Sequence, residues 1–192
     1  MFVGFLVFII VTTVGYTINQ GDFFQNEHIF IIAKTFWISL SVAYAKWFDM
    51  VSLRRLTKKE ILLFIGSFLI CVLVNIGYYS FFTVSSGARY QHLEATSTGI
   101  SLSFIASVTV FGPILEEFVF RGILQGSVFD NSWLGLGLTA SLFSFLHAPY
   151  DVPSFFYYLL GGLLLGFAYK KSQNLWVSTL VHMFYNSLPL LT

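Results

Sequence analysis

Apolar residues are grouped along the chain into long stretches that short polar segments separate. A helix needs about 20 mostly apolar residues to cross the hydrocarbon core of a membrane. Several stretches reach or approach that length, so the pattern predicts an all-α, polytopic membrane helix bundle of about seven spans. The predicted spans run from Phe2 to Ile18, Ile29 to Phe48, Ile61 to Val84, Ile100 to Phe129, Leu134 to Ala148, Phe155 to Tyr169 and Leu175 to Leu191.

The fourth predicted span contains the dipeptide Gly112-Pro113. Proline kinks or breaks a helix in mid-course, because it lacks an amide hydrogen and its ring clashes with the preceding turn. It is well tolerated in the first turn of a helix. The sequence therefore predicts that the fourth span is broken or kinked near Pro113, with Glu116 and Glu117 in the first turn of the second half.

Composition supports a membrane protein with a single membrane domain over residues 1–192. The chain is 56% hydrophobic and only 10% charged, whereas soluble domains carry about 25% charged residues. A net charge of +1 gives no reason to expect nucleic acid as a partner. Met1 to Ile18 has no basic residue before its apolar run and no small-residue cleavage site after it. We interpret it as a retained span rather than a signal peptide.

The basic residues predict an orientation, because Lys and Arg are enriched in cytoplasmic loops. They cluster around the loop after the second predicted span and at the end of the sixth. With the N-terminus in the cytoplasm, these clustered residues all face the cytoplasm and Arg89 faces outward. We therefore predict a multi-pass protein of the cell membrane with a cytoplasmic N-terminus. The clustered residues are Lys46, Arg54, Arg55, Lys58, Lys59, Lys170 and Lys171.

Three of the apolar stretches carry polar residues that are costly to bury. The fourth contains Glu116, Glu117 and Arg121, the fifth ends near His147, and the seventh contains His182 and Asn186. Residues four apart share a helix face, which pairs Glu117 with Arg121 and His182 with Asn186. Ionisable groups inside a membrane are candidates for function. Taken singly, the Glu117–Arg121 pair could equally be structural, and a lone histidine more often bonds two helices together.

These side chains suit the hydrolysis of a peptide bond by activated water, by either of two routes. Glu116, His147 and His182 could hold a zinc ion with one open position for water. Alternatively, a glutamate aided by a histidine could act directly as general base, while the other histidine and Asn186 bind the oxyanion. The sequence has no His-Glu-x-x-His zinc motif. Its single cysteine, Cys71, lies in an apolar run, and we expect it to contribute to packing.

Three motifs carry a resemblance to a known family. Glu116-Glu117-x-x-x-Arg121, Phe143-x-x-x-His147 and His182-x-x-x-Asn186 resemble the signature motifs of the CAAX protease and bacteriocin-processing (Abi) family of intramembrane endopeptidases. The resemblance covers about residues 107–187, the motif-bearing core.

The resemblance implies a role for each motif residue. Glu116 would be the water-activating base, assisted by His147, while His182 and Asn186 would stabilise the oxyanion. Glu117, Arg121 and Phe143 would support the site. Since the amide of Asn186 is a poor zinc ligand, the metal-free route is favoured over the zinc route, and zinc at Glu116, His147 and His182 is the alternative.

The resemblance also implies a class of substrate. We interpret the short chain, rich in Phe and Ile, as bacterial, and expect it to cut a membrane-associated or secreted peptide in bacteriocin self-immunity or peptide maturation. One alternative is a non-catalytic immunity protein that binds a bacteriocin or its receptor. A small proton-coupled transporter is a further alternative, but the sequence lacks the internal repeat that is common in transporters.

Overall fold

The computed structural model describes residues 27–47, 51–87, 89 and 99–188, and this part of the chain is all-α. It contains six helices, with one isolated bridge between Ser86 and Pro149 in place of any sheet. The all-α prediction is confirmed, and the predicted first span, Phe2 to Ile18, lies outside the described residues. The helices are α1 (Glu27–Trp47), α2 (Lys58–Phe81), α3 (Leu102–Val128), α4 (Trp133–Leu146), α5 (Val152–Ser172) and α6 (Leu175–Ser187).

Polar residues at the N-termini set where several helices begin. The Thr57 hydroxyl accepts from the Glu60 amide, while the Glu60 carboxylate accepts from the Thr57 amide at 2.8 Å, which is a capping box at the start of α2. Asp151 caps α5 by accepting from the Ser154 amide at 2.7 Å. Hydrogen bonds from the Ser154 side chain and amide hold the pKa of Asp151 below its ordinary value. Ser132 and Asn174 cap α4 and α6.

The predicted break near Pro113 is wrong, because helix α3 continues through this residue and only its hydrogen-bonding pattern changes there. Glu116 and Glu117 therefore lie within a continuous helix and not in a first turn. Residues Ser107–Phe111 form a π-helical turn, in which the Gly112 amide donates to the Ser107 carbonyl five residues earlier. The helix is then α-helical over Gly112–Glu117 and π-helical over Phe118–Val128. Because a π-helical turn holds more residues than an α-helical turn, it shifts the side chains that follow around the helix. A Cβ atom on Gly112 would lie 2.8 Å from the Ser107 carbonyl oxygen.

The outer surface of the bundle is apolar, as expected for a membrane protein. Helices α2, α3 and α5 are each long and apolar enough to cross a membrane, and the apolar segments His28–Ala43 and Trp133–Leu146 are shorter. Large apolar side chains such as Leu62, Leu73 and Leu134 are exposed on the described helices. Several buried polar residues, in contrast, lie inside the bundle on α3 and α6, among them Glu117, Arg121, Gln125 and His182.

Loop contacts define two ends of the bundle. At one end, Arg54 Nη2 donates to the Ser172 carbonyl at 3.2 Å and Asn174 Nδ2 donates to the Arg54 carbonyl at 3.0 Å. We call residues 51–58, 129–132 and 170–175 the basic end. At the opposite end, residues 82–89 and 147–151, the Gly87 amide donates to the Ala148 carbonyl at 3.0 Å.

The two ends allow a direct test of the predicted orientation. We expect the basic end to face the cytoplasm and the opposite end to face outward. Arg55 and Thr83 are exposed at the two ends, whereas Ser86 is only 2% exposed and would label poorly. Cysteines placed singly at positions 55 and 83, in a Cys71→Ala background, would be treated with an impermeant thiol reagent on intact cells. Position 83 should react at once and position 55 only after permeabilisation. The reverse pattern would contradict the orientation.

Candidate active site

Three residues from different helices meet at one point inside the bundle. Glu116 Oε2 on α3 lies 4.0 Å from Nε2 of His147, which follows the last turn of α4. The same oxygen lies 3.9 Å from Nε2 of His182 on α6. The Glu116 side chain is 35% exposed, yet Oε2 itself is buried and has no hydrogen-bond partner among the described residues. The structure thus assembles the glutamate and both histidines that the sequence singled out.

Glu117 lies behind this group and is fully buried. Its Oε1 forms an ion pair with Arg121 Nη1 at 3.1 Å and also lies 3.0 Å from His182 Nδ1. The predicted Glu117–Arg121 pair is therefore present, and it carries a contact that sequence spacing did not reveal. Arg121 also donates from Nη2 to the Gly162 carbonyl at 2.9 Å. The guanidinium neutralises this buried carboxylate, and the imidazole is hydrogen-bonded to it.

The partners of the two histidines define which ring nitrogen carries the proton. His182 Nδ1 faces the Glu117 carboxylate, and His147 Nδ1 lies 2.8 Å from the Phe143 carbonyl oxygen. These oxygens can only accept, so each Nδ1 carries a hydrogen, and in a neutral imidazole Nε2 is then an acceptor. Both Nε2 atoms face Glu116 across gaps too wide for a direct hydrogen bond. A water molecule in that space could donate one hydrogen to Glu116 and the other to a histidine.

Aromatic rings fix the position of His147. Its ring centroid lies 4.3 Å from that of Phe143 and 4.4 Å from that of Tyr158, and it is stacked on Tyr158 at 26°. The Tyr158 hydroxyl is hydrogen-bonded to Ser86 Oγ at 2.7 Å. Phe143 therefore supports the site in two ways, since its carbonyl sets the His147 tautomer and its ring lies 4.8 Å from the Arg121 guanidinium. Tyr158 was not identified from the sequence, where it is one of four consecutive aromatic residues.

A cavity of about 520 Å³ lies beside these residues. It is lined mainly by apolar and aromatic side chains, together with His147, His182 and Asn186. Asn186 donates one Nδ2 hydrogen to the Val108 carbonyl at 3.1 Å, which leaves its second Nδ2 hydrogen available. Such a cavity, apolar with a few polar groups, is typical of a substrate-binding site. Its other lining residues include Cys71, Val74, Asn75, Tyr79, Arg89, Tyr157, Leu164 and Tyr185.

Comparison with known proteins shows that the part of the chain around this site is similar to one protein family. Residues 98–188 match the family model described as type II CAAX prenyl endopeptidase Rce1-like. The residues are similar to that family, and we call them the Rce1-like domain for this similarity. The resemblance that the three motifs carry is therefore confirmed.

Two curated relatives match the chain over part of their length. One is "Putative membrane peptidase YdiL" of Bacillus subtilis (strain 168), 29% identical over 115 residues, which are 59% of this chain and 46% of the relative. The other is "UPF0177 protein YvdC" of Lactococcus lactis subsp. lactis (strain IL1403), 28% identical over 120 residues, 62% of this chain and 46% of the relative. The matched stretch thus covers about half of each relative. No solved structure matches the chain.

The Rce1-like domain supplies every motif residue from Glu116 to Asn186, but it does not supply the whole cavity. Helix α2 lies before the matched residues, yet it contributes Cys71, Asn75 and Tyr79 to the cavity wall. Part of the chain that precedes the matched residues therefore contributes to the wall of the cavity.

The spacing of the donor atoms at the Rce1-like site determines whether a metal ion fits there. Two imidazoles and a carboxylate are donors that zinc accepts, at about 2.0–2.1 Å each, which implies donor separations of about 3.4 Å in a tetrahedral site. The observed separations from Glu116 Oε2 are 3.9 and 4.0 Å. Within residues 27–47, 51–87, 89 and 99–188, no group of three or more His, Cys, Asp or Glu side chains is arranged to hold a metal. The side chains would have to move to bind one.

Proposed function

We propose that this protein is an intramembrane endopeptidase that hydrolyses a peptide bond of a membrane-associated or secreted peptide. The observation that carries the proposal is the position of Glu116 Oε2, which lies 3.9 Å from Nε2 of His182 and 4.0 Å from Nε2 of His147. This group lies within an Rce1-like domain and beside an apolar cavity. A base held next to a water site, at the edge of a space that can receive a peptide, is the arrangement that hydrolysis needs.

In the proposed mechanism, Glu116 takes a proton from the water molecule between it and the histidines. The oxygen of that water attacks the peptide carbonyl carbon, forming a tetrahedral intermediate with a negative oxygen. The C–N bond then breaks, and the proton held by Glu116 passes to the departing amine. His147 orients the water through Nε2, because its Nδ1 is committed to the Phe143 carbonyl.

His182 has a different role in this mechanism. Its Nδ1 hydrogen is committed to Glu117 at 3.0 Å, so Nε2 can donate to the oxyanion only when the ring is protonated. Asn186 can add its second Nδ2 hydrogen as a neutral donor to the same oxygen.

The test of the proposal is cleavage by the purified protein in lipid vesicles. A pool of fluorogenic peptides with apolar central residues would be incubated with wild-type protein and with Glu116→Ala. We expect cleavage by the wild type alone, at a bond that mass spectrometry identifies. If no peptide is cut faster by the wild type than by Glu116→Ala, the endopeptidase function is excluded for that substrate class.

The biological role that we propose is bacteriocin self-immunity or peptide maturation, and it depends on the same activity. Cells that produce Glu116→Ala at the wild-type level should lose both the cleavage and the immunity or peptide maturation that depends on it. Retention of immunity by Glu116→Ala would favour the alternative, a non-catalytic protein that binds a bacteriocin or its receptor.

We predict that the activity does not depend on a metal. The reconstituted protein should keep its activity after prolonged chelation, and elemental analysis should find no stoichiometric zinc. The physical reason is the arrangement just described, in which Glu116 can act on water directly and Asn186 is a poor zinc ligand. Stoichiometric zinc that disappears together with activity in His182→Ala would overturn the prediction.

A further inference from the structure

Three polar side chains that no motif contains meet in the wall of the cavity. Asn75 on α2 donates from Nδ2 to the Tyr157 hydroxyl at 2.7 Å and to the Tyr185 hydroxyl at 2.5 Å. The two hydroxyls lie 2.5 Å apart, with Tyr157 on α5 and Tyr185 on α6. All three residues line the cavity. We call them the Asn75–Tyr157–Tyr185 cluster.

The cluster contains one hydroxyl hydrogen more than its own acceptors can bind. Asn75 Nδ2 carries two hydrogens and uses one for each hydroxyl. Each tyrosine hydroxyl carries one hydrogen, and the pair of hydroxyls can share only one between them. The second hydroxyl hydrogen therefore has no acceptor among the described residues. A polar hydrogen in an apolar wall is costly unless it is paired, so an acceptor in the cavity would stabilise the cluster.

The position of the cluster suggests what that acceptor is. Tyr185 lies three residues after His182 on α6, which is about 4.5 Å along the helix axis at 1.5 Å per residue. An extended peptide advances about 3.3 Å per residue. For an extended peptide that runs alongside α6 with its scissile carbonyl at His182, a carbonyl of an adjacent residue lies at the level of the cluster. Arg89 is the single Lys or Arg among the described lining residues and is hydrogen-bonded to Tyr79 at 2.6 Å. The cluster itself is neutral, which suits a neutral carbonyl.

We propose that the Asn75–Tyr157–Tyr185 cluster binds the peptide substrate by donating one tyrosine O–H to a backbone carbonyl next to the scissile bond. This inference rests on the proposed endopeptidase function. It assigns substrate positioning to α2, a helix outside the Rce1-like domain, because Asn75 orients both hydroxyls. A donor to a backbone carbonyl recognises extended peptide without reading its side chains.

The test compares a double variant with a matched control. Tyr157→Phe/Tyr185→Phe removes both hydroxyls and keeps both rings. Tyr78→Phe is the control, because the Tyr78 hydroxyl donates to the Pro153 carbonyl and joins the same α2 and α5 outside the cavity lining. With a fluorogenic peptide that the wild type cleaves, the double variant should raise KM about 5- to 15-fold, the cost of one lost hydrogen bond. Its kcat should stay within about twofold of wild type, and Tyr78→Phe should leave both constants unchanged.

A peptide substrate with one ester bond tests whether the cluster binds a backbone carbonyl. Replacing the neighbouring amide of the peptide with an ester weakens the carbonyl as an acceptor. The ester should raise KM for the wild type but add little for the double variant, because interacting groups give non-additive effects. Each single variant and each melting temperature would be measured as well, so that loss of fold is recognised.

The outcomes distinguish failure of the proposed role of the cluster from failure of the proposed endopeptidase function. An unchanged KM in the double variant, or fully additive effects of variant and ester, would overturn the role of the cluster while leaving the endopeptidase intact. A lower kcat and melting temperature with unchanged KM would show that the cluster only joins helices and would also overturn it. Failure of the wild type to cleave any peptide would exclude the proposed function and this inference together.

Discussion

Replacing Glu116 with glutamine should abolish peptide hydrolysis while leaving the fold intact. Glutamine keeps the size of the side chain but cannot accept the proton from water. General bases typically contribute about 10²–10⁴-fold to a rate, so the residual rate should fall at least that far. The 35% exposure of Glu116 and the absence of any ion pair to Lys or Arg among the described residues argue against a large change in stability. The measurement is initial rate on a fluorogenic peptide in vesicles, together with melting in detergent.

Asp130→Asn is the matched control for this experiment. It makes the same change of carboxylate to amide at an exposed position of the basic end, where φ is 48°, a backbone conformation that asparagine also tolerates. Its rate should equal that of the wild type. His147→Ala and His182→Ala should also abolish cleavage while still inserting into the membrane. Full activity in Glu116→Gln would remove Glu116 from the mechanism and leave the cavity without its proposed base.

Arg121→Ala should cause the largest loss of stability of any single change considered. Arg121 is 1% exposed and Glu117 is 0% exposed, and their ion pair is 3.1 Å long. Removing one partner of a buried pair typically costs about 3–5 kcal/mol, because the remaining charge is left without compensation. The variant also loses the hydrogen bond to the Gly162 carbonyl. Melting in detergent should fall sharply, and activity should be lost because Glu117 also holds His182.

Two further variants show whether the unpaired buried charge causes the loss of stability in Arg121→Ala. Arg55→Ala removes an exposed arginine at the basic end and should leave melting unchanged. Glu117→Gln/Arg121→Met removes both charges and should recover part of the stability that Arg121→Ala loses, since no unpaired charge remains. Activity should not return, because the double variant changes the support of His182. An Arg121→Ala protein that melts like the wild type would show that the pair does not stabilise the fold.

Much of the described fold could be predicted from apolar stretches, because lipid requires each spanning segment to satisfy its own backbone hydrogen bonds as a helix. The predicted span from Ile61 to Val84 corresponds to α2, and that from Phe155 to Tyr169 lies within α5. The form of the irregularity near Pro113 was less predictable. The position of proline shows where a backbone amide hydrogen is missing. The surrounding packing determines whether the helix breaks there or takes up π-helical turns.

The site was predictable where residues on one helix share a face and unpredictable where contacts cross between helices. Glu117 and Arg121 follow from a spacing of four. The contact between Glu117 and His182 depends on how α3 and α6 are rotated against each other, which spacing does not show. Close packing sets such rotations. A Cβ on Gly162 would lie 3.1 Å from the Ala140 Cα, so α5 approaches α4 closely because glycine is there.

The cavity is lined by the halves of its helices that lead to the opposite end, including Tyr79 on α2 and Tyr157 on α5. With the basic end in the cytoplasm, as the charge distribution predicts, water and protons would reach Glu116 from the medium rather than from the cell interior. In that orientation, a peptide arriving from outside would meet Glu116 before it crossed the bilayer.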